Sequence, residues 1–136
     1  MAIALDLTSL SKAVGKLDEG LTRHRANLAD AQLRDGLIQR VEFTYEISHK
    51  MLKRYLEMSS PTPSAFDGMP FADLIRTANE QGLLAGDWTN WRTYRDMRSK
   101  TSHTYDENIA LEVVKAIPAF LTEVQTLLKN LQVRVT

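Results

Sequence analysis

Apolar side chains recur at steps of three and four through five stretches of this chain, the period of one face of an α-helix. Leu10, Val14, Leu17, Leu21 and Leu28 make the first stripe, behind Thr8 and Ser9, whose hydroxyls suit a helix start. Ile38, Val41, Tyr45, His49, Leu52 and Leu56 make the second, which predicts a longer helix from about Gln32 to Glu57 with Glu46, Lys50 and Arg54 on its outer side. Residues 58–70 gather three prolines, three serines and a glycine, so a loop is predicted there. Phe71, Leu74, Ile75 and Ala78 predict a short third helix closed by Gly82. Asp87 is placed to cap a fourth, with Trp88, Trp91, Tyr94 and Met97 on one face and Arg92, Arg95 and Arg98 on a neighbouring one. From about Glu107, the residues Val113, Ile117, Phe120, Val124, Leu127 and Leu131 form a heptad-like seam that another helix must cover. Pro118 lies in that seam without an amide to donate, which predicts one helix with a bend. No stretch alternates as a strand does and no repeat is visible. The fold class is therefore all-α: an up-and-down bundle of four to five helices, with residues 1–136 as a single domain.

Composition narrows the function classes. Apolar residues make up 43% of the chain, enough for a core, and the 17 cations balance 17 carboxylates, so any RNA contact needs a local basic patch. The absence of cysteine excludes disulfides, thiolate metal sites and a cysteine nucleophile, and fits a reducing compartment. The N-terminus has no leader pattern, and no segment approaches the ~20 apolar residues of a membrane span. A cytoplasmic protein with no membrane contact is expected.

Residues 97–107 carry dense reactive polarity and little apolar periodicity. Arg98 and His103 stand five apart, about 140° from each other on an unbroken helix at ~100° per residue. The run Ser99-Lys100-Thr101-Ser102 is rich in hydroxyls and predicts a helix break that turns both groups towards one cleft. A guanidinium offers a planar donor fork for phosphate, and an imidazole exchanges protons near neutral pH. Together they suffice for metal-free RNA cleavage by the 2′-hydroxyl. Taken alone, the spacing favours capping and salt-bridge roles for these two residues.

The stretches Asp35–Glu46, Lys50–Glu57 and Asp73–Ala78, followed by Arg98-x4-His103-x-Tyr105-Asp-Glu, resemble the nucleotidyltransferase substrate-binding protein family, whose members are HEPN-domain proteins. The resemblance spans nearly the whole chain apart from the first helix and the proline-rich loop. It implies a HEPN-like bundle and a HepT-like toxin encoded beside a minimal nucleotidyltransferase antitoxin. It also implies metal-independent endoribonuclease chemistry in which Arg98 and His103 meet at a homodimer interface. Tyr105 then corresponds to the tyrosine that the nucleotidyltransferase adenylylates to silence the toxin. Ser99, Lys100, Ser102 and Arg95 are the expected supporting contacts to RNA or nucleotide. The family often has asparagine after the motif arginine; Ser99 keeps a donor and an acceptor with shorter reach, a departure that bears directly on ribonuclease activity. An alternative family role is a non-catalytic subunit that binds substrate for its nucleotidyltransferase.

Other features have structural readings. His49, on an apolar stripe, is expected to be packed. His24, between Arg23 and Arg25, is expected on an exposed face. Three dispersed histidines make no metal motif, and no cofactor is expected. Trp88 and Trp91 are read as filling a dimer seam. With Tyr94 and the terminal seam they suggest more apolar surface than one chain covers, hence a homodimer.

Overall fold

A computed structural model describes residues 3–135. Five helices follow one another: α1 Thr8–Ala26, α2 Ala31–Ser59, α3 Phe71–Glu80, α4 Trp88–Lys100 and α5 Glu107–Arg134. Among the described residues the only extended pairing is an isolated parallel bridge between Ile3 and Val135. The long helices α1, α2 and α5 pack on one another, and α4 lies on α5. The predicted stripes supply the core: Leu10 and Leu17 of α1, Leu52 and Leu56 of α2, and Ile117, Phe120 and Leu127 of α5 are all fully buried. Each such aliphatic side chain contributes about 1.5–3 kcal/mol of transfer free energy.

The helix boundaries follow local chemistry. The Asp30 carboxylate accepts the Gln32 and Leu33 amides at 2.9 and 3.1 Å and starts α2. Gly82, at φ 73°, ends α3 in the left-handed region, where a side chain would be strained. Asp87 caps α4 in a box with Asn90. Helix α5 continues through Pro118 as one element.

Several expectations require correction. Helix α1 has Leu7 at its N-cap position. Neither Thr8 nor Ser9 caps it; instead the Asp6 carboxylate accepts the Thr8 amide at 2.9 Å, and hydrogen bonding from the Thr8 side chain, then from its amide, lowers the Asp6 pKa. Leu28 falls beyond α1 and is 72% exposed. His24 is buried, because it continues the stripe of Leu17 and Leu21 despite its two basic neighbours. The segment 58–70 contains a 3-10 turn at Pro63–Phe66, and Phe66 is buried in the core. Trp91 and Tyr94 are buried inside the chain itself, in an aromatic cluster with Tyr45, Phe71 and Phe120. Trp88 packs edge-on to Phe71. The terminal seam of α5 is likewise buried by the chain's own helices, so the apolar surplus offered as an argument for a dimer is absent from these positions.

Candidate functional site at the corner between α4 and α5

The predicted helix break is present. Helix α4 ends at Lys100, a 3-10 turn covers Thr101–His103, and α5 starts at Glu107 behind the Asp106 cap. The turn is held from within. The buried Thr101 hydroxyl donates to the Arg98 carbonyl at 2.7 Å, the Thr104 hydroxyl donates to the Thr101 carbonyl, and the Asp106 amide donates to the His103 carbonyl at 3.1 Å. The Asp106 carboxylate then accepts the Asn108 and Ile109 amides. With both threonine hydroxyls bonded to carbonyls of the corner itself, Ser102, His103 and Tyr105 are left exposed to solvent.

Arg98 is the most enclosed of them, with 27% of its side chain exposed. Its Nη2 donates to Glu46 Oε1 from α2 at 2.5 Å, and its Nη1 donates to Thr101 Oγ1 at 3.2 Å. His103 is exposed, and its ring stands edge-on to Tyr105 at 6.1 Å between centroids. Tyr105 is 87% exposed. No hydrogen bond joins Arg98 to His103 among the described residues; the two share a corner rather than a contact.

The supporting residues divide. Ser99 and Ser102 are exposed beside the turn. Lys100 is engaged by Glu112 at 3.0 Å. Arg95 lies over the Phe71 ring, its guanidinium carbon 5.9 Å from the centroid. His49 also packs on Phe71, at 4.7 Å between centroids, and burial, then Lys53 and Arg95, lower its pKa. It is the packed histidine that its stripe predicts. Burial raises the Tyr45 phenol to about 12 against the opposing pull of Arg95 and Arg98, so it stays neutral beside the site. Among the described residues no three histidine, aspartate or glutamate side chains cluster as metal ligands do.

Two participants were not legible as site residues. The spacing assigned Glu46 to a solvent pair with Lys50, whereas its carboxylate holds Arg98. Arg34, near the start of α2, donates from Nη1 to Glu107, a hydrogen bond that raises the arginine's pKa and ties α2 to the first turn of α5 beside Tyr105. Its buried Nε has no hydrogen-bond partner, since Asp35 at 3.7 Å is beyond reach.

Comparison with known proteins agrees with this architecture. Residues 5–133 match the family described as nucleotidyltransferase substrate binding protein like. A Haemophilus influenzae protein named probable ribonuclease HepT is 43% identical over 99 residues, 73% of this chain and 67% of that protein. A solved Haemophilus influenzae structure, described as revealing the fold of a substrate binding domain of a nucleotidyltransferase, superposes with a TM-score of 0.87. It is 35% identical, over 93% of this chain and 99% of that one. No described helix is long and apolar enough to cross a membrane. On these grounds the chain belongs to the nucleotidyltransferase substrate-binding protein family.

Proposed function

We propose that this chain is a metal-independent endoribonuclease of the HepT-like toxin class, acting in the cytoplasm beside a minimal nucleotidyltransferase antitoxin that silences it by adenylylating Tyr105. The observation that carries this reading is the corner at residues 101–106, which breaks the helix between Arg98 and His103 and leaves the imidazole open beside Tyr105. The relative named a probable ribonuclease supports the same class. In this mechanism an imidazole takes the proton of the RNA 2′-hydroxyl. The 2′-oxygen then bonds to phosphorus, the bond from phosphorus to the 5′-oxygen breaks, and that oxygen leaves with a proton from the His103 imidazolium of a two-fold mate. Arg98 neutralises the charge that builds on the phosphorane. A homodimer is part of the proposal, because each proton transfer then has its own imidazole.

The test is RNA cleavage in excess chelator. The wild type should cleave, and His103→Ala and Arg98→Ala should each lose about a hundredfold or more in rate. RNA left intact by the wild type would refute the reading.

The alternative is a non-catalytic subunit that presents substrate to the nucleotidyltransferase. What favours it is the engagement of Arg98 by Glu46 and Thr101, which ties up the guanidinium in the isolated chain. It requires nucleotide transfer by the partner to depend on this chain, and a partner equally active alone would remove it.

A further inference from the structure

We infer that Glu46 is the positioning residue for Arg98: its carboxylate aims the guanidinium in the empty site and is exchanged for a phosphodiester of the substrate. The inference rests on the ribonuclease reading for its substrate and deepens it.

Three observations converge. First, Arg98 reaches out from the end of α4 between two acceptors on different elements, Thr101 Oγ1 in the turn and Glu46 Oε1 on α2. The Thr101 hydroxyl is buried and itself bonded to the Arg98 carbonyl, so this anchor cannot swing away without opening the turn. One edge of the guanidinium is therefore pinned by the corner and the other by a carboxylate. Second, the carboxylate is the exposed partner, with 63% of the Glu46 side chain open to solvent against 27% for Arg98. An anion arriving from solution meets Glu46 first and competes with it for Nη2. Third, carboxylate and phosphodiester present the same chemistry to that edge, oxygen acceptors bearing negative charge that suit the planar fork of arginine. Glu46 thus keeps the fork oriented while the site is vacant and yields to the substrate, with Thr101 holding the other donor throughout.

A purely architectural ion pair predicts a different response from a placeholder. Removing an architectural pair lowers stability and leaves substrate affinity alone. Removing a placeholder's charge tightens phosphate binding, because the competing charge is gone, and removing its aim as well gives back part of that gain, because the substrate must then order the guanidinium itself. Glu46→Gln separates the two effects: its amide oxygen can still accept from Nη2, but the charge is lost.

The experiment uses the full chain and two readouts. Affinity is measured by fluorescence anisotropy with an RNA oligonucleotide made uncleavable by 2′-deoxy substitution, and turnover with the unmodified oligonucleotide at saturation. Glu46→Gln should bind about threefold tighter than the wild type, the range open to an exposed ion pair, and Glu46→Ala, which loses the acceptor as well as the charge, should gain less. Glu42→Gln, the same charge change one turn earlier on α2, serves as the control for bulk electrostatics. Affinity unchanged in Glu46→Gln, or tightened equally in Glu42→Gln, overturns the exchange, and equal affinities of Glu46→Gln and Glu46→Ala overturn the positioning role. If no variant cleaves but Glu46→Gln still binds the oligonucleotide more tightly, the ribonuclease reading falls and the exchange stands. If no variant binds, both fall.

Discussion

Glu46 and Arg98 meet near solvent, so their attraction is screened, and a pair of this kind contributes about 0–1 kcal/mol to folding. A contact that weak opens readily to a competing anion, which is what a vacant phosphate site requires. His49 is a different case, because its burial against Phe71 makes it a stability determinant with a definite pH dependence. The unfolded chain takes up this proton near the ordinary histidine value, whereas the folded chain resists it to a lower pH. Stability from this group is thus complete above about pH 6.5 and declines as the pH falls towards the folded value. Thermal unfolding should show a shallower loss of Tm between about pH 7 and pH 5 in His49→Gln than in the wild type. An identical slope would exclude His49 as the source. The stripe through Tyr45, Leu52 and Leu56 already indicated a packed His49. His24 was equally visible, one step beyond Leu21 on its own stripe, but flanking charges at neighbouring positions say nothing about the face a residue takes on a helix.

At the scale of elements, a buried carboxylate gathers three donors from the connection between α3 and α4 and from α4 itself. Glu123 of α5 accepts the Ala85 and Gly86 amides, each at 2.8 Å, and the Trp91 indole N–H at 2.7 Å. Removing it leaves three donors without an acceptor. Glu123→Ala should therefore lose about 3 kcal/mol or more in urea denaturation with an unchanged m-value, and Glu123→Gln should recover part of it. A loss below about 1 kcal/mol would mean that water replaces the carboxylate at all three donors. All five helices were legible in the sequence, because burial along a single helix imposes its own period, and the break after Lys100 was legible from its hydroxyl run. The partners of the polar groups were not. Arg98 with Glu46, Arg34 with Glu107 and Trp91 with Glu123 are joined by packing between elements far apart in the chain, and local spacing carries no record of that. The one buried glutamate of α5 had a local signal, since Glu123 sits between Phe120 and Val124 and beside the seam.

At the scale of the molecule, the chain buries its own aromatic cluster and terminal seam, so association must use other surface. Phe43, Leu111 and Tyr105 are large apolar or aromatic side chains left substantially exposed, and Tyr105 belongs to the corner itself. Light scattering at micromolar concentration should give a dimer mass; a monomer would deprive the mechanism of its second imidazole. The family relationship and the bundle stand independently of that result, whereas the reaction does not. The most direct test of the central claim is the chemistry of the ends left on RNA cleaved in excess chelator. Attack by the 2′-hydroxyl, assisted by Arg98 and His103, predicts a 2′,3′-cyclic phosphate and a 5′-hydroxyl, both lost in His103→Ala. Products bearing a 3′-hydroxyl and a 5′-phosphate, or cleavage that persists undiminished without His103, would contradict it.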